Sequence, residues 1–160
     1  MPVQRRFLMR CKALSTVLIL FASIAIPAYA SSPDDKPFDQ DSIAALQLRI
    51  SQAQPREQCF LYAELIHQMT EFSLKQYAAG DIDKASDLLK QVQQITRKMH
   101  LGVADDNKRL KNAEILLRHS AFRLKEMLHN SSSEDRPLLE ETLAQVNQAQ
   151  SETMLQVFKK

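Results

Sequence analysis

Two Glu-x-x-His motifs carry the sharpest chemistry in this 160-residue sequence, Glu64-Leu65-Ile66-His67 and Glu126-Met127-Leu128-His129. A spacing of three puts carboxylate and imidazole on one side of a helix, where both can reach a single metal ion. Two such motifs with two further glutamates, all aimed into a helical core, would make a two-metal carboxylate centre. The competing chemistry is charge pairing in water. At roughly 100° per residue, Glu64 shares a face with Glu57, Glu71 and Lys75, and Glu126 lies nearly opposite Leu110, Leu117 and Leu124. Both carboxylates are therefore expected to face solvent, with His67 paired to Glu64 or Glu71. Glu140, Glu141 and Glu152, the remaining candidate ligands, also fall off the apolar seam of their helix.

The other reactive residues are scattered. His100 and His119 stand alone, and His100 near a helix C-terminus is accounted for by the helix dipole. Haem attachment would need Cys-x-x-Cys-His, and a serine hydrolase an elbow motif; the sequence has neither. The expectation is a non-enzymatic protein without cofactor or metal. The alternative is a ferritin-like metal-binding bundle using Glu64, His67, Glu126 and His129.

These residues must be positioned by helices. The chain is 44% hydrophobic and 25% charged, too apolar for a disordered polymer and about the size of one domain. Two glycines, Gly80 and Gly102, are too few for the turns of a many-stranded sheet or for a glycine-rich phosphate loop. From Asp41, capped by itself or Ser42, apolar residues recur at helical spacing: Ile43, Leu46 and Ile50. Pro55 either kinks this segment or splits it into 41–53 and a longer helix over about 55–79. In that longer helix Tyr62, Leu65, Ile66, Met69 and Ser73 share a face, with Gln68 on the solvent side.

After Gly80 a stripe of Ile82, Ala85, Leu88, Leu89, Val92, Ile95 and Met99 marks the next helix. A further turn at 101–106 leads to a helix over about 106–129 on Leu110, Ala113, Leu117, Ala121, Leu124 and Leu128. The last helix uses Leu139, Leu143, Val146, Thr153 and Val157, with Gln150 a polar intruder on its seam. The spacing predicts an all-α, antiparallel bundle of four helices, the first of them split or kinked at Pro55, forming one domain over 41–160.

Residues 1–30 read as an address. Arg5, Arg6, Arg10 and Lys12 precede the uncharged run Ala13–Ile26 and the small-residue site Ala28-Tyr29-Ala30, the pattern of a cleaved signal peptide. The apolar run is shorter than the ~20 residues of a spanning helix. Cleavage after Ala30 leaves 130 residues with 17 Lys+Arg against 19 Asp+Glu. The basic balance thus belongs to the address, and no nucleic-acid partner is expected. Cys59 is then the one remaining thiol, expected to be buried and inert. Residues 31–40, with Pro33 and Pro37, read as a flexible leader, and the protein as exported, without a membrane span.

Some apolar residues exceed what a bundle needs. Phe60, Leu61, Phe72, Ile115 and Phe122 lie beside or opposite the main stripes. They are covered by a flanking helix or form a surface for a protein partner or a second copy. Lys108, Arg109, Lys111, Arg118, Arg123 and Lys125 also make 106–129 locally basic, either a salt-bridged face or a site for an anionic partner.

Two resemblances accompany these readings. Gly80-Asp81-Ile82-Asp83-Lys84-Ala85 with Leu88 and Leu89, after Phe72-Ser73, is similar to one hairpin of a tetratricopeptide repeat, without a tandem copy. That likeness implies a peptide groove lined by Phe72, Tyr77 and Leu88. The stretches Pro55–Leu65 and Gly102–Glu114 resemble a family of exported helical proteins from acidobacteria, a likeness that implies export and brings no activity and no site.

Overall fold

The computed structural model describes residues 38–99 and 107–159. The signal-peptide reading with its Ala28 and Ala30, residues 31–37 of the leader, His100 and Gly102 lie outside the described residues. Within them the protein is all-α: α1 (Gln40–Gln52), α2 (Pro55–Ala78), α3 (Ile82–Lys98), α4 (Asn107–Asn130) and α5 (Arg136–Phe158).

The helix boundaries follow from local chemistry. Asp39, rather than Asp41 or Ser42, caps α1: its carboxylate accepts the Ser42 N–H at 2.8 Å while Ser42 Oγ accepts the Asp39 N–H at 3.3 Å. This reciprocal box satisfies two backbone donors that helix geometry otherwise orphans. Pro55 splits rather than kinks the first segment. Ala53 and Gln54 are both extended, Gln54 at ψ 149°, because a proline ring disfavours helical backbone in the residue before it. Pro55 then serves as the first residue of α2, where its missing N–H is harmless. Between α2 and α3 the chain reverses at Gly80, φ +83°. The Asp81 N–H reaches back to the Gln76 carbonyl at 3.0 Å, which closes the helix end. Asp81 then caps α3 through the Lys84 N–H at 3.3 Å.

Four of the helices close a ring in which α2 touches α3 and α4, and α5 touches α3 and α4; α1 rests on α2 alone. The short turns make α2/α3 and α4/α5 antiparallel hairpins. The two hairpins, however, lie side by side in the same sense. Glu57 meets Arg109 and Glu71 meets Arg123, each pair 52 residues apart, and a constant difference in number is the mark of parallel neighbours. α3 and α5 are parallel in turn, their levels matched where Gln93 donates to Thr142 Oγ1 at 2.9 Å. An antiparallel bundle is therefore correct within each hairpin and is corrected between them.

The core is a continuous apolar cluster including Leu65, Ile66, Met69, Val92, Leu117, Leu124, Met127, Leu139 and Val146, all at most 2% exposed. Each such large side chain contributes about 1.5–3 kcal/mol by leaving water. Three stripes shift from their sequence reading. Gln68 is buried, because α2 is covered by α1, α3 and α4 and retains little solvent face. On α4 the inward residue is Met127 and Leu128 is half-buried. On α5 the seam runs Leu139, Thr142, Val146, Ala149, Thr153, a regular three–four alternation. Gln150 stands beside it, half-buried, donating to Glu114 at 3.0 Å.

Candidate functional site

The parallel contact between α2 and α4 is lined by polar residues at equal heights. Arg109 Nη1 donates to Glu57 Oε1 at 2.7 Å near one end. Further along, the His67 and His119 rings meet at 6.2 Å between centroids, inclined by 60°. One turn beyond, Arg123 donates through Nε and Nη2 to both oxygens of Glu71 at 2.8 and 3.2 Å, and through Nη1 to Glu126 at 2.8 Å. Phe38 closes the His67 side, edge-on at 5.8 Å. His67 does not pair with Glu64 or Glu71 through a hydrogen bond: its Nδ1 is buried without a partner, and Glu71 is occupied by Arg123. Burial holds His67 below its usual imidazole range; the Glu71 carboxylate opposes this, and His119 and Arg123 add to it. His119, isolated in the sequence, thus belongs to a pair.

The two Glu-x-x-His motifs are not brought together. They are 62 residues apart, whereas α2 and α4 match levels at 52, so the second motif lies ten residues, about 15 Å, further along the axis. Glu126 is held by Arg123, and His129 is exposed. Among the described residues no group of three or more His, Cys, Asp or Glu side chains could hold a metal ion. The groove implied by the repeat-like hairpin is also filled. Phe72 and Leu88 are 5% and 3% exposed, and the Tyr77 hydroxyl donates to Asp135 at 3.3 Å.

The surplus apolar residues divide. Leu61 and Phe72 are buried and Phe60 is packed against the core, because α1, α3 and α4 flank α2, with Lys84 of α3 lying over the Phe72 ring; these three are withdrawn from the partner surface. Ile115 and Phe122 remain outside, 38% and 61% exposed. The basic cluster divides too. Arg109 and Arg123 turn into the α2 seam, whereas Lys111, Arg118 and Lys125 are exposed on α4 beside Ile115 and Phe122. A depression of about 820 Å³ touches this face at Phe122, Lys125 and His129. Its lining runs from Leu74 on α2 round α4 to Arg136 on α5, so it is open surface rather than an enclosed reaction chamber. The sequence reading also missed the exposed Met154, Leu155 and Phe158 at the end of α5; the only signal for them was an apolar pair, Met154-Leu155, breaking the alternation of the seam.

Cys59 is buried, and desolvation pushes its thiol up to about 11, so it is protonated and unreactive at neutral pH. No described helix is long and apolar enough to cross a membrane. No family model, curated protein or solved structure matches this chain.

Proposed function

We propose that this is an exported, non-enzymatic helical protein that acts by surface contact through the outer face of α4. One observation carries the reading: Ile115 and Phe122 stand exposed two turns apart on a helix whose opposite side already completes the core through Leu110, Ala113, Leu117, Leu124 and Met127. Large exposed apolar side chains ringed by charge are a common feature of contact surfaces. The charged groups of the α2–α4 seam are committed to one another, which suits a structural part for them. Export is supported by the basic, apolar and small-residue succession of residues 1–30.

The test has two readouts on the protein expressed with its own N-terminus. Mass analysis of the accumulated chain is expected to give Ser31 as the first residue in the exported fraction. A photoreactive side chain at position 122 is expected to give specific adducts, and one at Gln91, exposed on α3, none. An intact N-terminus inside the cell, or equal adducts from both positions, would overturn the reading.

A further inference from the structure

We infer that the outer face of α4 is a docking surface for an anionic lipid bilayer; this rests on the contact reading above and names the partner. Lys111, Arg118 and Lys125 recur every seven residues, and Ile115 and Phe122 recur at the same interval between them. On a helix this makes a single straight stripe, about 21 Å from Lys111 to Lys125, with a cation roughly every 10 Å. All five side chains are exposed. Of the acids of α4, Glu126 is bound by Arg123, and Glu114 accepts from Gln150 and makes a long 4.0 Å pair with Arg118, so the stripe stays cationic at Lys111 and Lys125 and is only partly neutralised at the exposed Arg118.

Charge is also segregated along the chain. α4 has six Lys and Arg against two Glu, and although Arg109 and Arg123 are paired with α2 carboxylates, Lys111, Arg118 and Lys125 remain on its outer side. The stretch 131–159 has Glu134, Asp135, Glu140, Glu141 and Glu152 against Arg136 and Lys159. A molecule of low net charge polarised in this way approaches an anionic surface with one side first.

The shape of the stripe decides between partners. A helix docked in register would meet alternating positions three and four apart, and three of the five here are Lys111, Arg118 and Lys125, which such a seam would bury. A bilayer imposes no such burial. Long cationic side chains stay at the headgroup level while the aromatic and aliphatic side chains between them enter the acyl boundary. The face is one helix wide, and the depression beside Phe122 and Lys125 is open rather than walled, which suits a laterally adaptable surface more than a partner held in a closed groove. Nucleic acid would use the cations but leave Ile115 and Phe122 without a role.

The experiment uses the protein as it accumulates after export, its N-terminus defined by mass, in sedimentation with vesicles of phosphatidylcholine containing 30% phosphatidylglycerol and with phosphatidylcholine alone. Every variant carries the same N-terminus, so any contribution from residues 31–37 cancels. Binding is expected to anionic vesicles only and to weaken with salt. The triple variant Lys111→Gln, Arg118→Gln, Lys125→Gln is expected to bind about a hundredfold more weakly, at about fivefold per cation near an anionic surface. Phe122→Ser is expected to lose about tenfold. Unchanged helicity and melting temperature would confirm that these exposed changes leave the fold intact.

Equal binding to both vesicles, or a triple variant that binds like the parent, would overturn the lipid assignment. So would duplex DNA bound with the same dependence on the three cations and none on Phe122. In each of these cases position-specific adducts at residue 122 would still support the contact reading, so the two can fail separately.

Discussion

The parallel register of α2 and α4 makes a prediction that an antiparallel bundle would reverse. Glu57 and Glu71 are 14 residues apart, as are Arg109 and Arg123. In the structure the partners are Glu57–Arg109 and Glu71–Arg123; with α4 inverted about the same midpoint they would be Glu57–Arg123 and Glu71–Arg109. Double-mutant cycles with alanine at each position separate the two. Glu71 is 13% exposed and takes two donors from one guanidinium. Charge-assisted bonds of that kind are worth about 1.5–3 kcal/mol when dry, but Arg123 is 39% exposed and solvent screens the pair. A coupling of about 1–1.5 kcal/mol is expected. The Glu57–Arg109 pair, 37% and 44% exposed with one bond, is screened by solvent on both sides and should couple more weakly. The crossed pairs sit about 21 Å apart, beyond the roughly 8 Å screening length, and should couple by nothing measurable. Urea denaturation midpoints at constant slope supply the four free energies of each cycle. Coupling in either crossed pair, or a Glu71–Arg123 value at or below that of Glu57–Arg109, would refute the register.

Other perturbations follow from single residues. His67 has a folded value below its ordinary 6.5, so below that pH the unfolded chain takes up the proton first. Its contribution to stability is full above about pH 6.5, falls as pH drops toward the folded value and then levels off; chemical denaturation across pH 4–8 should show the fall, and His67→Gln should flatten it. Cys59 should resist a thiol reagent at pH 7.5 in the native state and react promptly in urea, and rapid native labelling would contradict its burial. Gly80→Ala should cost about 1–2 kcal/mol, read as a lowered denaturation midpoint, from backbone strain alone, since φ is +83° and no atom lies within 4 Å of an added Cβ. Thr142→Val should cost about 1–3 kcal/mol in the same assay by leaving the Gln93 amide donor buried without its acceptor.

The sequence makes some of this plain and hides the rest for physical reasons. α3 is legible because it is buried on one side only: of its stripe, Ala85, Leu88, Leu89, Val92, Ile95 and Met99 are found inside, and Ile82 is half-buried at the first turn. α2 is less so, because a helix flanked by three others loses the contrast on which periodicity depends, and a polar residue such as Gln68 is buried there. The parallel register was invisible. Its markers are Glu57, Glu71, Arg109, Arg123, His67 and His119, residue types that a reading of periodicity assigns to water. Spacing did show that Glu64 and Glu126 lie off the apolar stripes. What separates the two motifs is an axial offset between helices, which no single-helix pattern contains. Ile115 and Phe122 exceed what the core stripe of α4 needs, but only packing shows that they, and not Leu61 or Phe72, stay outside.

The two kinds of helix contact also divide the folding problem by chain separation. Within each hairpin, partners such as Ser73 and Ala85 are 12 residues apart and meet across a short turn. Across the α2–α4 seam the partners are 52 apart, and across α3–α5 Gln93 and Thr142 are 49 apart. Closing the longer loops carries a larger entropic cost before any contact rewards it. The hairpins are therefore expected to form on the fast, local timescale of helical proteins, with their side-by-side docking setting the folding rate. Substitutions in the polar seam should then alter the speed of folding more than those in the hairpin turns, which gives Glu71 and Arg123 a kinetic part beside their static one.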